Sequence, residues 1–243
     1  MAQRRDSTSW SCPKCGGDGF VLNEEGDAIA CSCRSTRIRR ARTNGVSSVV
    51  PRKYRGVSFD RAPLPEIERA NPLIVREVHR FCDEIDKRLA NGRGLWFMGD
   101  KGTGKTTLAM LASKSALAAG HSVAIYSVPK LLAEIRDTYD SQPGERSYMD
   151  FYQRLVGVDL LHLDDLGAEK QTDWVLEQLY SLVNERYEQE RPIIVTTNLG
   201  FEQLEQQIGA RTVSRLVEIC GDPLPLFGED RRIAFDPTRA AAS

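Results

Sequence analysis

The stretch from Gly94 to Thr107, GLWFMGDKGTGKTT, constrains this 243-residue chain more than any other. A short apolar run, Leu95-Trp96-Phe97-Met98, stops at Gly99, and Gly99, Gly104, Lys105 and Thr106 then stand at the spacing G-x-x-x-x-G-K-T. A glycine-rich turn between a buried strand and a helix lets successive backbone N–H groups converge on a phosphate chain. The helix N-terminus adds its partial positive charge. The loop comprises Gly99, Asp100, Lys101, Gly102, Thr103, Gly104, Lys105, Thr106 and Thr107. In such a loop the lysine reaches the β- and γ-phosphates and the hydroxyl of Thr106 ligates Mg²⁺, while Gly102 and Gly104 keep Cβ atoms clear of the nucleotide. The following LAMLASKSALAAG is a good helix former that ends at Gly120. Strand, loop and helix are all in place, and nucleotide binding is the expectation.

With 41% apolar and 28% charged residues, the composition is that of a globular protein with room for one core domain and a small appendage. The net charge of −1 is unevenly placed. Arg34, Arg37, Arg39, Arg40, Arg42, Arg52, Lys53 and Arg55 form a basic segment with no acid among them. That segment is either a surface for nucleic acid or an acidic partner, or a solvated linker. MAQRRDSTSW lacks the apolar core of a signal peptide, and no run approaches a membrane span. A cytoplasmic location and no membrane partner are expected.

That location governs the cysteines. Cys12-Pro-Lys-Cys15 and Cys31-Ser-Cys33 are two close pairs around a hairpin-like stretch, Phe20-Val21-Leu22 and Ala28-Ile29-Ala30. Two thiolates from each arm suit tetrahedral Zn²⁺, and a segment with so few apolar residues needs a staple to fold. Disulfides are the alternative, disfavoured in a reducing compartment. Cys82 and Cys220 lie alone in apolar patterns and read as small core residues.

Between the cysteines and the phosphate loop, Val49 to Asp60 reads as irregular and Pro-bounded. Asn71-Pro72 gives an N-cap and a proline at the first helical position. Ile74, Val75, Val78, Phe81, Ile85 and Leu89 then recur at helical spacing as far as Asn91-Gly92, predicting one amphipathic helix with His79 off its stripe and exposed. Further on, Ser122 to Tyr126 predicts a strand, and Pro129 to Tyr139 and Ser147 to Val156 predict helices.

Val158 to Gly167, VDLLHLDDLG, is an apolar strand ending in an acidic pair. Such a pair suits the second half of a P-loop site, with Asp164 holding Mg²⁺ through its waters and Asp165 orienting or deprotonating the attacking water. A simple cap or turn is the other use of two acids there. His162 belongs to the strand's packing on alternation grounds.

Thr172 caps a long helix over Trp174 to Glu190, and Pro192 to Asn198 predicts a strand. The Asn198 amide is placed to hydrogen-bond a γ-phosphate or the lytic water, or else to form a turn. Short helices follow at Phe201 to Ile208 and Ala210 to Cys220, the second with Arg211 and Arg215 on one face. The Pro- and Gly-rich remainder is too short for a separate helical lid. Alternating strands and helices imply an α/β fold, a parallel sheet flanked by helices with its site at the strands' carboxyl ends.

Taken together, GDKGTGKT, LLHLDDLGAEK, IIVTTN and ARTVSRL resemble the AAA+ ATPases, and more narrowly the DnaC/DnaI-type replicative helicase loaders and the related IstB transposition helpers. PRKYRGVSFD and LVNERYEQERPIIVTTN add to the match over Pro51 to Phe235, and CPKCGGDGF…CSCR looks like the N-terminal element of loader-like proteins. The resemblance implies a zinc-ribbon-like module (1–35), a basic linker (36–62) and an AAA+ domain with lid reduced or absent (63–243). It implies ATP, Mg²⁺ and Zn²⁺ as cofactors, and a replicative helicase and single-stranded DNA as partners. It makes Asp164 and Asp165 the Walker B pair and Asn198 the sensor-1 residue. Arg215 becomes an arginine finger acting on a neighbouring subunit, with Arg211 in reserve and Arg231 or Arg232 a second sensor. The second acid is Asp rather than the Glu of most AAA+ proteins, which suggests slow, switch-like hydrolysis.

Overall fold

The computed structural model describes residues 12–16, 19–34, 50–140, 147–228 and 230. Near the N-terminus, β1 (Phe20–Leu22) and β2 (Ala28–Ala30) form an antiparallel hairpin. The rest is built on a five-stranded sheet of β3 (Leu95–Gly99), β4 (Val123–Ser127), β5 (Leu160–Asp164), β6 (Ile193–Thr197) and β7 (Leu224–Leu226). Its spatial order is β4-β5-β6-β3-β7, with every pairing parallel. Parallel strands need crossover helices, which cover both faces and bury the strands on both sides.

Alternation along each strand divides the interior in two. Trp96, Ala124, Tyr126, Leu161, Leu163, Ile193 and Val195 face one layer. Leu95, Phe97, Val123, Ile125, Leu160 and Ile194 face the other. The second layer is closed by α1 (Leu64–Ala70), α2 (Pro72–Asp83), α3 (Ile85–Ala90) and α4 (Lys105–Ala119). The first is closed by α5 (Val128–Asp137), α6 (Tyr148–Gly157), α7 (Asp173–Glu188), α8 (Phe201–Ile208) and α9 (Ala210–Cys220). Among the described residues no helix is long and apolar enough to cross a membrane.

The strand and helix expectations from Ser122 onward hold to within a residue or two. Four readings need correction. The amphipathic stripe from Ile74 to Leu89 belongs to two helices, because Glu84 at φ −100° and ψ 21° interrupts the backbone. Phe81, Ile85 and Leu89 keep their four-residue spacing across the break, so the pattern is blind to it. Asn71 sits at the cap position of α2 without capping it. Its amide instead accepts from Phe227 N–H and donates to Phe227 O, both at 2.9 Å, clasping the chain just after β7. His79 is not simply exposed but half-buried and stacked on Phe59, ring centroids 3.5 Å apart. Cys82 and Cys220 lie at the margins of the two cores rather than inside them.

Val50, Tyr54, Val57 and Phe59, ahead of α1, pack against the second core layer. The basic positions Arg37, Arg39, Arg40 and Arg42, and the candidate second sensors Arg231 and Arg232, lie outside the described residues.

Candidate nucleotide and metal sites

β3 ends at Gly99, and the phosphate loop wraps from there onto the first turn of α4. Gly104, at φ +108°, is the residue before the helix, and a Cβ there would drive into the side chain of Ile67 on α1. Glycine is therefore required twice, by the left-handed backbone and by the packing of α1. The loop is tied internally: Lys105 Nζ donates to the carbonyls of Gly99 (2.8 Å) and Asp100 (2.6 Å), and Thr103 Oγ1 donates to Asp100 O (2.9 Å). Lys101 is exposed on the loop's outer side.

The acidic pair stands two strands away, at the end of β5, and hydroxyls join it to the loop. Thr106 Oγ1 donates to Asp164 Oδ1 at 2.9 Å, and Thr196 Oγ1 on β6 donates to the same oxygen at 2.7 Å. Thr196 Oγ1 also accepts from the backbone N–H of Asp165 at 2.9 Å. Asp165 has φ +56°, a left-handed conformation uncommon for a residue with a Cβ and of the kind that collects at functional sites. Asn198 Nδ2 donates to Asp165 Oδ1 at 3.2 Å, which bridges the ends of β5 and β6. A phosphate-type loop with its Thr106 hydroxyl, the Asp165 carboxylate and the Asn198 amide thus converge on one cleft, with Asp164 bonded to the cleft's Thr106. This is the donor and acceptor set that a triphosphate with Mg²⁺ needs.

Gly102, Gly104, Lys105, Thr106, Thr107, Asp165 and Asn198 line that cleft together with Lys53, Tyr54, Pro63 and Ile67. None of the last four reads from the sequence as a nucleotide-site residue, Lys53 being placed there only in the basic segment. They come from a 3-10 turn (Arg52–Tyr54), from Pro63 at the N-cap of α1 and from α1 itself, a stretch without periodicity whose proline and glycine content reads as loop. Arg211 and Arg215 lie elsewhere, in a shallow depression with Tyr180 and Ser214. Arg215 stacks over Tyr187 at 4.2 Å and bonds to Glu218 (2.9 Å) and Asn184 (3.3 Å).

At β5, His162 is buried, with Nδ1 2.9 Å from Ser113 Oγ on α4. Burial pushes its pKa down to about 4 against the pull of Asp164, so the ring is neutral at neutral pH.

The four N-terminal cysteines form a second candidate site, all four sulfurs lying within 4.8 Å of one another. They pair across the arms, Cys12 with Cys31 at 3.8 Å and Cys15 with Cys33 at 3.3 Å. A tetrahedral zinc with bonds of about 2.3 Å would set its sulfurs about 3.8 Å apart, so the cluster fits Zn²⁺. Backbone N–H groups of Lys14 and Cys15 lower the Cys12 pKa, whereas burial pushes the Cys33 thiol up to about 12, so the four thiols are not uniformly poised as thiolates. No disulfide joins the described cysteines.

Comparison with known proteins agrees with this architecture. The Escherichia coli K12 replicative helicase loader DnaC is 27% identical over 141 residues, 58% of this chain and 55% of that protein. The Bacillus subtilis loader DnaI is 29% identical over 191 residues, 73% of this chain and 58% of DnaI. An uncharacterised Escherichia coli protein, YdaV, is 31% identical over 49% of this chain and 47% of its own length. The chain thus spans about half the length of these curated relatives. The crystal structure of the DnaC helicase loader superposes with a TM-score of 0.61 at 22% identity, over 73% of this chain and all of that one, a likeness of fold. The IstB-like ATP binding proteins match residues 85–217, more than half of the sequence, and the chain belongs to that family of AAA+ fold.

Proposed function

We propose that this chain is a Mg²⁺-dependent ATPase that loads a replicative DNA helicase onto single-stranded DNA. The observation carrying the reading is the 2.9 Å bond from Thr106 to Asp164, which fastens the phosphate loop to the acidic strand end. In this reading Lys105, the loop amides and Thr106 hold the triphosphate and its metal. Asp164 anchors the metal's waters, Asp165 takes the proton of the attacking water, and Asn198 holds Asp165 in place. Asp165 is a short acid, which fits slow turnover suited to a switch. Arg215, supported by Arg211, reaches the nucleotide of a second copy, so the competent form is an oligomer. The N-terminal module holds Zn²⁺ and, with the basic segment, docks the helicase.

The loader reading draws on two named loaders among the relatives and on a group of aromatic rings, of which Tyr139 is exposed and Tyr148, Tyr152 and Trp174 are partly buried. Tyr139 stacks on Tyr148 at 5.0 Å, Tyr148 neighbours Tyr152, and Arg136 lies over Trp174 at 4.8 Å. Aromatic rings with an interleaved guanidinium suit unpaired bases.

A second reading, an ATPase assisting a transposase, is favoured by the family match itself. Mixing the protein with the replicative helicase of its host separates the two. A complex whose affinity responds to ATP is expected, and no complex with or without ATP would refute loading. Lys105→Ala should abolish ATP binding. Asp165→Asn should bind ATP without hydrolysing it; if instead the wild type shows no turnover with single-stranded DNA present, the chain is an ATP-gated adaptor.

A further inference from the structure

His162 Nε2 is fully buried and has no hydrogen-bond partner among the described residues. It lies 3.9 Å from Asp164 Oδ1. A buried polar atom without a partner costs free energy that a leucine of similar volume, such as Leu160 on the same strand face, would not incur. Something must offset that cost, and the neighbouring geometry suggests what.

Thr106 and Ser113 are seven residues apart on α4 and so share a face. His162 and Asp164 are two apart on β5 and so share the opposing face. The result is two rungs between one helix and one strand, Thr106 to Asp164 at 2.9 Å and Ser113 to His162 at 2.9 Å. An ionised carboxylate only accepts. An Nε2 lone pair aimed at Asp164 would be repelled, whereas an Nε2–H dipole is attracted. The Nε2–H tautomer leaves Nδ1 as an acceptor, and the Ser113 hydroxyl is the donor that satisfies it.

We propose that His162 is a positioning residue for the metal-holding acid. Ser113 locks it as the Nε2–H tautomer, and in that form it steadies Asp164 Oδ1 from the buried side alongside Thr106 and Thr196. The other carboxylate oxygen is then left for the magnesium's waters. This rests on the reading of Asp164 given above. The purpose of a histidine here is orientation of a ligand-bearing group, the task that outer hydrogen bonds perform around bound metals.

The test uses the full chain. Long-range ¹⁵N–¹H correlation of labelled histidines, with His162 assigned by its loss in His162→Leu, should show protonated Nε2 and bare Nδ1. The Ser113→Ala chain should lose that preference. In Mg²⁺ titrations read by a fluorescent ATP analogue, His162→Leu should need about tenfold more Mg²⁺ for half-maximal binding. Binding in EDTA should be unchanged, and His162→Gln, which returns an N–H near the Nε2 position, should restore part of the response. A residue that merely fills space would leave the Mg²⁺ requirement alone and gain stability on becoming leucine. Should His162→Leu fail to fold, Ser113→Ala is expected to show the same shift in smaller measure. An Nδ1–H tautomer, or a variant with the wild-type Mg²⁺ requirement, overturns the proposal alone. A wild type whose ATP binding ignores Mg²⁺ removes the reading of Asp164 and this proposal with it.

Discussion

Arg186 is fully buried on α7 with no carboxylate bonded to it among the described residues. Its guanidinium donates instead to four carbonyls: Leu155, Val156 and Val158 at 2.8, 2.9 and 3.1 Å, and Pro192 at 2.7 Å. These belong to the end of α6 and the entries to β5 and β6, so one side chain gathers the base of the sheet. Burial, with Arg191 adding to it, pushes the guanidinium down to about 9, which leaves it charged at neutral pH. Arg186→Ala should cost at least about 3 kcal/mol by urea unfolding, because the carbonyls lose a charged donor and stay buried. His162 gives a pH-dependent counterpart. Its folded value of about 4 lies below the ordinary 6.5, so the unfolded chain takes up the proton first. Stability is full above about pH 6.5 and falls as the pH drops toward 4, by up to about 3 kcal/mol. The His162→Leu chain should show a flatter urea midpoint across that window. At this scale the sequence spoke through spacing. Asp164 and Asp165 were readable because they end an apolar run, while Arg186 fell on the helix's inner stripe yet read as just another charge.

Elements with a strong period were legible and short ones were not. α7 and α9 announce themselves by apolar positions three and four apart. β7 is three residues with a proline in the middle, and becomes a strand only because the edge of β3 offers partners at Phe97, Met98 and Gly99. α1 buries only Leu64 and Ile67, too few for a pattern, yet Ile67 roofs Gly104. Hence the cleft's phosphate side was visible in the sequence and its wall of Tyr54, Pro63 and Ile67 was hidden. The rings of the aromatic group come from α6, α7 and the turn after α5, where Tyr139 is 50% exposed. Tyr139→Ala should weaken binding of an oligothymidylate about five- to tenfold by fluorescence anisotropy, with little change in melting temperature. Unchanged affinity would remove these rings from the DNA-binding surface.

Across the whole molecule the two candidate sites rest on different foundations. The nucleotide cleft is held by two core layers against a five-stranded sheet. The cysteine hairpin has a core of its own, consisting of Cys12, Cys31 and Cys33 with Cys15 and Val21 packed against them. Elemental analysis should find one zinc per chain, and Cys12→Ser should lose it. The main thermal transition of the variant should stay within a few degrees of wild type, since the sheet layers do not depend on the hairpin.

Among the described residues, the hydrogen-bonding rim of β3 is covered on its outer side by three residues. A chain cut before Leu224 would lay bare the backbone groups of Phe97 to Gly99 along a flat, apolar border, next to the loop that grips phosphate. Bare borders of that kind recruit other chains. Such a truncation should therefore sediment as aggregates that no longer bind ATP, although the phosphate loop, Asp164, Asp165 and Asn198 are all still present.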